Sequence, residues 1–432
     1  MKSIGLVCAF LFVWPGVMRA QEPERIQFGP EGISISELAG RAAETHPAVL
    51  AARERVAVAE GLRRQARFRP NPQLEIDVST TRVFDSQDEG ARSIGVAQTI
   101  ELGGKRKRRV EVADAGVEAA RAEAADTERR LRGEIAAACI EAVSAHRELV
   151  LLEQQLSAMR EFLRLTEARA REGEIPPLES SLTQVERARM EAQQSLAQAR
   201  FGRNLADLER LLPADLLRVK LQERITAGEL LVSDTDLRDR ALTERPDLLA
   251  ARLRAQQANA QVRLASAQAK PNLIGSVRYA RDIQTFEDLP VAGRIFRDRD
   301  NVLAFGITIP LPFRDRNQGN IQAAVATERA TRQDALVVSA EVTRDVAAAY
   351  ASYRAAEKAG NILRRDGVEA SQKNLGVIRE AYRLGQLRLL DVLNEQRRTF
   401  DLELTLSQTE RELALAAAAL ETAVGRNLGL LP

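Results

Sequence analysis

The residues that could do chemistry in this chain are few, and their spacing argues against a reaction centre. His46 stands at a helix entry before Pro47, and His146 falls in the middle of a long charged stretch. Neither has a nucleophile or ligand spacing around it, so each reads as a structural histidine. Cys8 lies in an apolar amino-terminal run, which leaves Cys139 alone in the remainder. Neither an intrachain disulfide nor a soft-metal cluster is written there. No catalytic residue, cofactor or resident metal is expected. The densest charge feature is Lys105-Arg106-Lys107-Arg108-Arg109 at a helix start, where five cations oppose the macrodipole. They need compensation, either from acidic neighbours on a solvated face or from the phosphates of a lipid leaflet.

The elements that position these residues are mostly helices. Alanine, arginine, glutamate and leucine dominate and aromatics make up 4%, a long-helix composition. Arg106 to Glu172 contains no proline and reads as one helix, about 100 Å long at the α-helical rise. Ser36 to Arg69 reads as a second helix of roughly 34 residues, stopped by Pro70-Asn71-Pro72. Leu74 to Thr80 alternates strictly, with Leu74, Ile76 and Val78 on one face and Glu75, Asp77 and Ser79 on the other. Ile94, Val96, Ile100 and Leu102 share the apolar face of another strand after a polar loop near Asp85 to Gly90. Gly103-Gly104 closes it, Gly173 stops the long helix, and Pro176-Pro177 opens another that runs to Leu212.

The amino terminus has Lys2, an apolar run from Ile4 to Val17, and Met18-Arg19-Ala20, so residues 1–20 read as a cleaved secretory signal. Cys8 is too early to be a lipoprotein cysteine, and no lipid anchor is expected. Taking Lys2 and Arg19 from the 63 basic residues leaves as many as the 61 acids. A neutral exported chain has no global charge for nucleic acid, which is not expected as a partner. No later apolar run reaches the length of a spanning helix, so any membrane crossing falls to strands.

The pattern then repeats. His46-Pro47-Ala48-Val49-Leu50 matches Arg245-Pro246-Asp247-Leu248-Leu249, Pro72-Gln73-Leu74 matches Pro271-Asn272-Leu273, and Gly173 to Gln184 matches Gly385 to Gln396. This divides the chain into a signal at 1–20, an amino-terminal segment at 21–35, a first repeat at 36–212, a linker at 213–236, a second repeat at 237–425 and a tail at 426–432. Each repeat reads short helix, strand, loop, strand, long helix, tight turn, short helix, with a longer second loop at Asp282 to Asn301. Two short helices end to end match the long one, giving a helical hairpin with a β-hairpin at one end. Strands of about 10 residues suit a tilted bilayer crossing. Four strands cannot close, and an open edge in lipid is costly, so the chain must oligomerise. Three copies give twelve strands and a lumen, whereas two give a filled barrel.

With Glu101-Leu102-Gly103-Gly104-Lys105-Arg106 after the second strand, and Tyr382-Arg383-Leu384-Gly385 through Leu390-Asp391-Val392-Leu393 at the second turn, the chain resembles the TolC-like outer-membrane efflux proteins across Ile35 to Gly425. The resemblance implies an α+β membrane protein. Its tandem-duplicated long helical hairpins would build a periplasmic α-barrel, and its four strands would join a homotrimeric, twelve-stranded transmembrane β-barrel. It implies the outer membrane of a Gram-negative bacterium, lipid around the barrel, a periplasmic adaptor protein at the helical tips and an inner-membrane pump as energy source. The Glu-Leu-Gly-Gly-Lys-Arg segment is similar to the heavy-metal cation branch.

By the same resemblance, Asp391 falls where the family carries an acidic aperture ring, with Asn394 where a second acid often stands. An exposed helix carboxylate is the plainer account of Asp391. Tyr382 and Glu179 match a tyrosine-to-acid link that holds the hairpins closed, while Leu387 replaces a nearby family arginine. Gly173, Pro176, Pro177, Leu384, Gly385, Leu387 and Leu389 form the two tips and an apolar docking surface. The basic run at Lys105 to Arg109 would lie just beneath the barrel. The expected function is a passive exit duct and not an enzyme, with divalent heavy metals as leading substrate. Drugs or exported proteins would use the same duct. A periplasmic coiled-coil scaffold is the competing class, and it gives no reason for four strands with a lipid-compatible face.

Overall fold

The computed structural model describes residues 26–80, 90–223, 225, 227–286 and 296–431. The signal read at 1–20, the loop around Asp85 and the terminal Pro432 lie outside the described residues. In chain order the elements are β1 (Gln27–Gly29), α1 (Ile35–Thr45), α2 (Pro47–Ala66), β2 (Gln73–Thr80), β3 (Gly90–Ile100), α3 (Lys105–Arg171), α4 (Pro177–Leu211), β4 (Lys220–Gln222), α5 (Asp234–Glu244), α6 (Pro246–Gln268), β5 (Leu273–Phe286), β6 (Phe296–Thr308), α7 (Gln318–Ile362), α8 (Glu369–Arg383) and α9 (Leu389–Val424). A π-helical segment, Leu363–Val368, splices α7 to α8.

The long helix α3 is 67 residues, about 100 Å at 1.5 Å per residue. Gly104 precedes it in the left-handed region at φ 73°, and Asn317 takes the same place before α7 at φ 62°. Only glycine and a short amide side chain enter that region cheaply.

The helix expected over Ser36 to Arg69 is two helices. His46 sits between α1 and α2 with extended dihedrals, and its Nδ1 accepts the Ala48 amide at 3.1 Å. The cause is local, because a residue before proline is pushed out of the α region. Arg245-Pro246 makes the same break between α5 and α6.

The four long strands form one antiparallel sheet in the order β2-β3-β5-β6. Leu74 pairs with Val96 and Ile76 with Ile94, and both pairs continue onto Val277 and Tyr279. Since directly opposed residues share a face, Leu74, Ile76, Ile94, Val96, Val277, Tyr279, Leu303 and Phe305 make one apolar wall, exposed throughout. Glu75, Asp77 and Arg278 alternate onto the other face, where Arg278 meets Glu75 at 3.0 Å. Asp282 to Asn301 is not the long loop expected. β5 and β6 carry the ladder up to Phe286↔Phe296, and residues 287–295 lie outside the described residues. The sheet is open, its free edges being β2 and β6.

The main core lies at mid-length, where Leu38, Ile135, Ile140, Leu208, Leu221, Leu237, Val346, Leu420 and Val424 close together. Cys139 is buried there, and burial pushes its thiol up to about 12, so it stays protonated. The linker at 213–236 carries β4, which pairs in parallel with β1 and adds Leu221 to this core. Three-residue strands are too short for alternation to announce them. His146 is the structural histidine expected: its ring stacks on Phe28 of β1 at 4.7 Å, with Glu223 at 3.3 Å.

Candidate functional site: the paired helical tips

Both long helices end in the same turn. At the first tip the amide of Gly173 bonds Ala170 O and that of Glu174 bonds Arg169 O; at the second, Gly385 bonds Tyr382 O and Gln386 bonds Ala381 O. This is a Schellman motif, and its left-handed position takes glycine in both cases, at φ 79° and 76°. Pro176 then caps α4 and Arg388 caps α9. Pro176, Pro177, Leu384, Leu387, Asp391 and Asn394 are exposed.

Leu389 does not belong to that surface. It is 1% exposed, packed with Leu156, Met159, Met190 and Leu393 in a small core between the hairpins. As the first residue of α9 it turns toward the neighbouring helices, while Leu390 beside it is exposed. Met159 and Met190, the two methionines after the amino-terminal segment, meet here. Flexible thioethers fill such irregular gaps.

The tyrosine-to-acid link is not formed within the chain. The Tyr382 hydroxyl is buried without a hydrogen-bond partner. Its ring packs on Phe162 at 6.2 Å, and the Arg169 guanidinium lies 6.0 Å from its centroid. Burial pushes the phenol pKa up, Arg169 opposes this and the Glu179 charge adds to it. Glu179 is therefore near the ring but not bonded to the hydroxyl. Arg169 bonds Glu174 at 2.9 Å.

Asp391 caps its own helix, since Oδ2 accepts the Arg388 amide at 3.1 Å. Its other oxygen has no hydrogen-bond partner among the described residues, and Asn394 lies one turn on.

At the opposite end, the basic run is mostly answered by its own chain. Lys105 is buried and donates to Asn272 Oδ1 at 2.6 Å, and its pKa is lowered by burial against the pull of Glu101. Arg108 bonds Glu111 at 2.8 Å, while Arg109 pairs with Glu101 and donates to Phe68 O at 3.1 Å. Of the five, only Arg106 and Lys107 are exposed, and for Lys105, Arg108 and Arg109 the compensation comes from polar and acidic neighbours within the chain.

Sequence reasoning missed a buried charge junction at mid-length. Arg245, 5% exposed, reaches Asp247 at 2.5 Å, Asp345 at 3.2 Å and Ala423 O at 3.2 Å, tying α6, α7 and α9 together. Arg129 of α3 adds a contact to Asp247 at 3.7 Å. The signal available was Arg245-Pro246-Asp247, which reads as a helix start and gives no hint of distant partners.

The family described as outer membrane efflux protein matches residues 38–213 and 237–426. The cobalt-zinc-cadmium resistance protein CzcC of Cupriavidus metallidurans is 24% identical over 371 residues, 85% of this chain and 84% of that one. The outer membrane efflux protein BepC of Brucella suis is 26% identical over 376 residues, 86% of this chain and 79% of its own. The crystal structure of the Campylobacter jejuni CmeC outer membrane channel superposes with a TM-score of 0.72 at 14% identity, covering 90% of this chain and 85% of that one. An open sheet with one apolar wall on long paired helices, matched in fold by an outer membrane channel, leaves one assignment: the chain belongs to the outer membrane efflux protein family.

Proposed function

We propose that three copies of this chain close a twelve-stranded barrel in the outer membrane of a Gram-negative bacterium and serve as the exit duct of a tripartite efflux pump. The observation that carries this reading is the sheet: four strands with an apolar wall and two unpaired edges, which lipid would not tolerate open. The helices continue the duct into the periplasm, where the exposed tips meet an adaptor protein. Energy comes from an inner-membrane pump, and the duct itself performs no reaction. Divalent heavy-metal cations are the proposed substrate, supported by the likeness to a cobalt-zinc-cadmium resistance protein. Three Asp391 carboxylates, each with an oxygen left over from capping, would ring the narrow end and favour cations.

Single-channel conductance in a planar bilayer tests this. Small cation-selective currents blocked by divalent ions are the expected result. A folded protein that neither inserts nor conducts would instead be a scaffold.

A further inference from the structure

Near the end of the sheet away from the helices, Arg92 of β3 and Arg281 of β5 are direct cross-strand partners. Both are exposed, and both stand on the apolar wall, two residues beyond the Ile94↔Tyr279 pair. Like charges placed directly opposite destabilise a sheet unless something lies between them. Among the described residues nothing does so, and neither arginine makes an ion pair. The acids at that height, Asp77, Asp282 and Asp300, alternate onto the other face. The one polar neighbour across β6, Asn301, already accepts the Tyr279 hydroxyl at 2.9 Å. Arg299, paired with Ile283, brings a third guanidinium to the same wall.

We propose that Arg92 and Arg281 form a clamp for the phosphate of an anionic lipid headgroup in the outer leaflet. Two forked guanidiniums on adjacent strands suit bidentate phosphate binding, and their place beyond the Ile94↔Tyr279 pair sets them on the headgroup side of the apolar wall in the proposed barrel. From Arg92 to Ile100 on β3 is eight residue steps, about 27 Å along the strand and about 19 Å in height at a tilt of about 45°, so the pair stands at the upper rim of the apolar wall. The clamp rests on the outer-membrane reading above, because a soluble scaffold would offer it no leaflet.

The test uses the full chain in phosphatidylcholine nanodiscs doped with diphosphoryl lipid A. Native mass spectrometry reads the bound lipid for the wild type and for Arg92→Gln with Arg281→Gln. Retention should fall by about tenfold or more in the double variant, as loss of charge-assisted bonds to phosphate requires. Oligomer mass and conductance should be unchanged, and excess inorganic phosphate should not displace the lipid. Equal retention in both proteins overturns the clamp alone. Displacement by inorganic phosphate also overturns it, leaving a simple anion site. Failure of the folded wild type to enter any nanodisc overturns the membrane reading and the clamp with it.

Discussion

Glu179 and Asp391 hold the same station, third residue of α4 and of α9, yet only Asp391 closes a capping bond. Its N-cap, Arg388, offers an amide at 3.1 Å, whereas Pro176 before Glu179 has none to offer. Asp391→Asn keeps an oxygen acceptor and removes the charge; Asp391→Ala removes both. Asn should keep thermal stability and lose cation preference in reversal-potential measurements. Ala should lose the preference and also about 1 kcal/mol of local stability from the missing cap. Unchanged selectivity in both variants would remove Asp391 from the aperture. Glu179→Gln should leave stability where it was.

Tyr382→Phe should not open the channel. The hydroxyl is buried and unbonded, so its removal relieves a desolvation cost and should stabilise the tip by about 1 kcal/mol. The ring contacts with Phe162 and Arg169 survive the change. A large rise in resting conductance would mean that assembly supplies the hydroxyl with a partner from another copy.

Leu389 and Leu384 should separate packing from docking. Leu389→Ala empties part of the core around Met159 and Met190 and should cost about 2–5 kcal/mol, less where the methionines relax into the gap. Leu384 is 61% exposed, so Leu384→Ala should leave hydrogen exchange at the tip unaltered while weakening adaptor capture. Equal loss of protection in both variants would contradict the placement of Leu389.

The Arg245 junction sets an acid limit. Burial alone would raise the Asp247 pKa, but the bonds and charge of Arg245, with Arg129 beyond, hold it below the usual carboxylate value. A depressed carboxylate stabilises the fold fully above its unfolded pKa of about 3.9 and loses that contribution as pH falls through the folded value. Melting temperature should therefore drop below about pH 4 in the wild type, and this step should vanish in Asp247→Asn. That variant leaves Arg245 short of a partner and should be less stable by about 3–5 kcal/mol at neutral pH.

Much of the architecture could be read from residue order. Strict alternation named the faces of β2 and β3, and the cross-strand pairs Leu74↔Val96 and Ile76↔Ile94 put them together as that alternation requires. Absence of proline, with Gly103-Gly104 before it and Gly173 after it, named α3 to within a residue at each end. The break at His46 was also written, in the proline that follows it, but helical spacing continued across it and masked it. What could not be read depends on distant neighbours. Leu389 and Leu390 are alike in sequence, and only the presence of Leu156 and Met190 makes one core and the other surface. The Arg92↔Arg281 pair needs the register between β3 and β5, which alternation within a strand does not give.

The π-helical segment between α7 and α8 has a consequence for everything below it. From Val342 on, the buried positions of α7 are Val342, Val346, Ala349, Tyr353, Ala356 and Gly360, stepping by four and three. They resume at Val368, Ser371 and Leu375, and half-buried Ile378 and Tyr382 follow in the same steps. From Gly360 to Val368 is one residue more than that stepping allows, and the π turn absorbs it. Each residue of an α-helix turns through about 100°, so without the π turn the buried stripe would pass through Val377, which is 70% exposed. The bulge acts as a rotational vernier: it sets the azimuth of α8, and with it the side of the rod on which Tyr382 arrives.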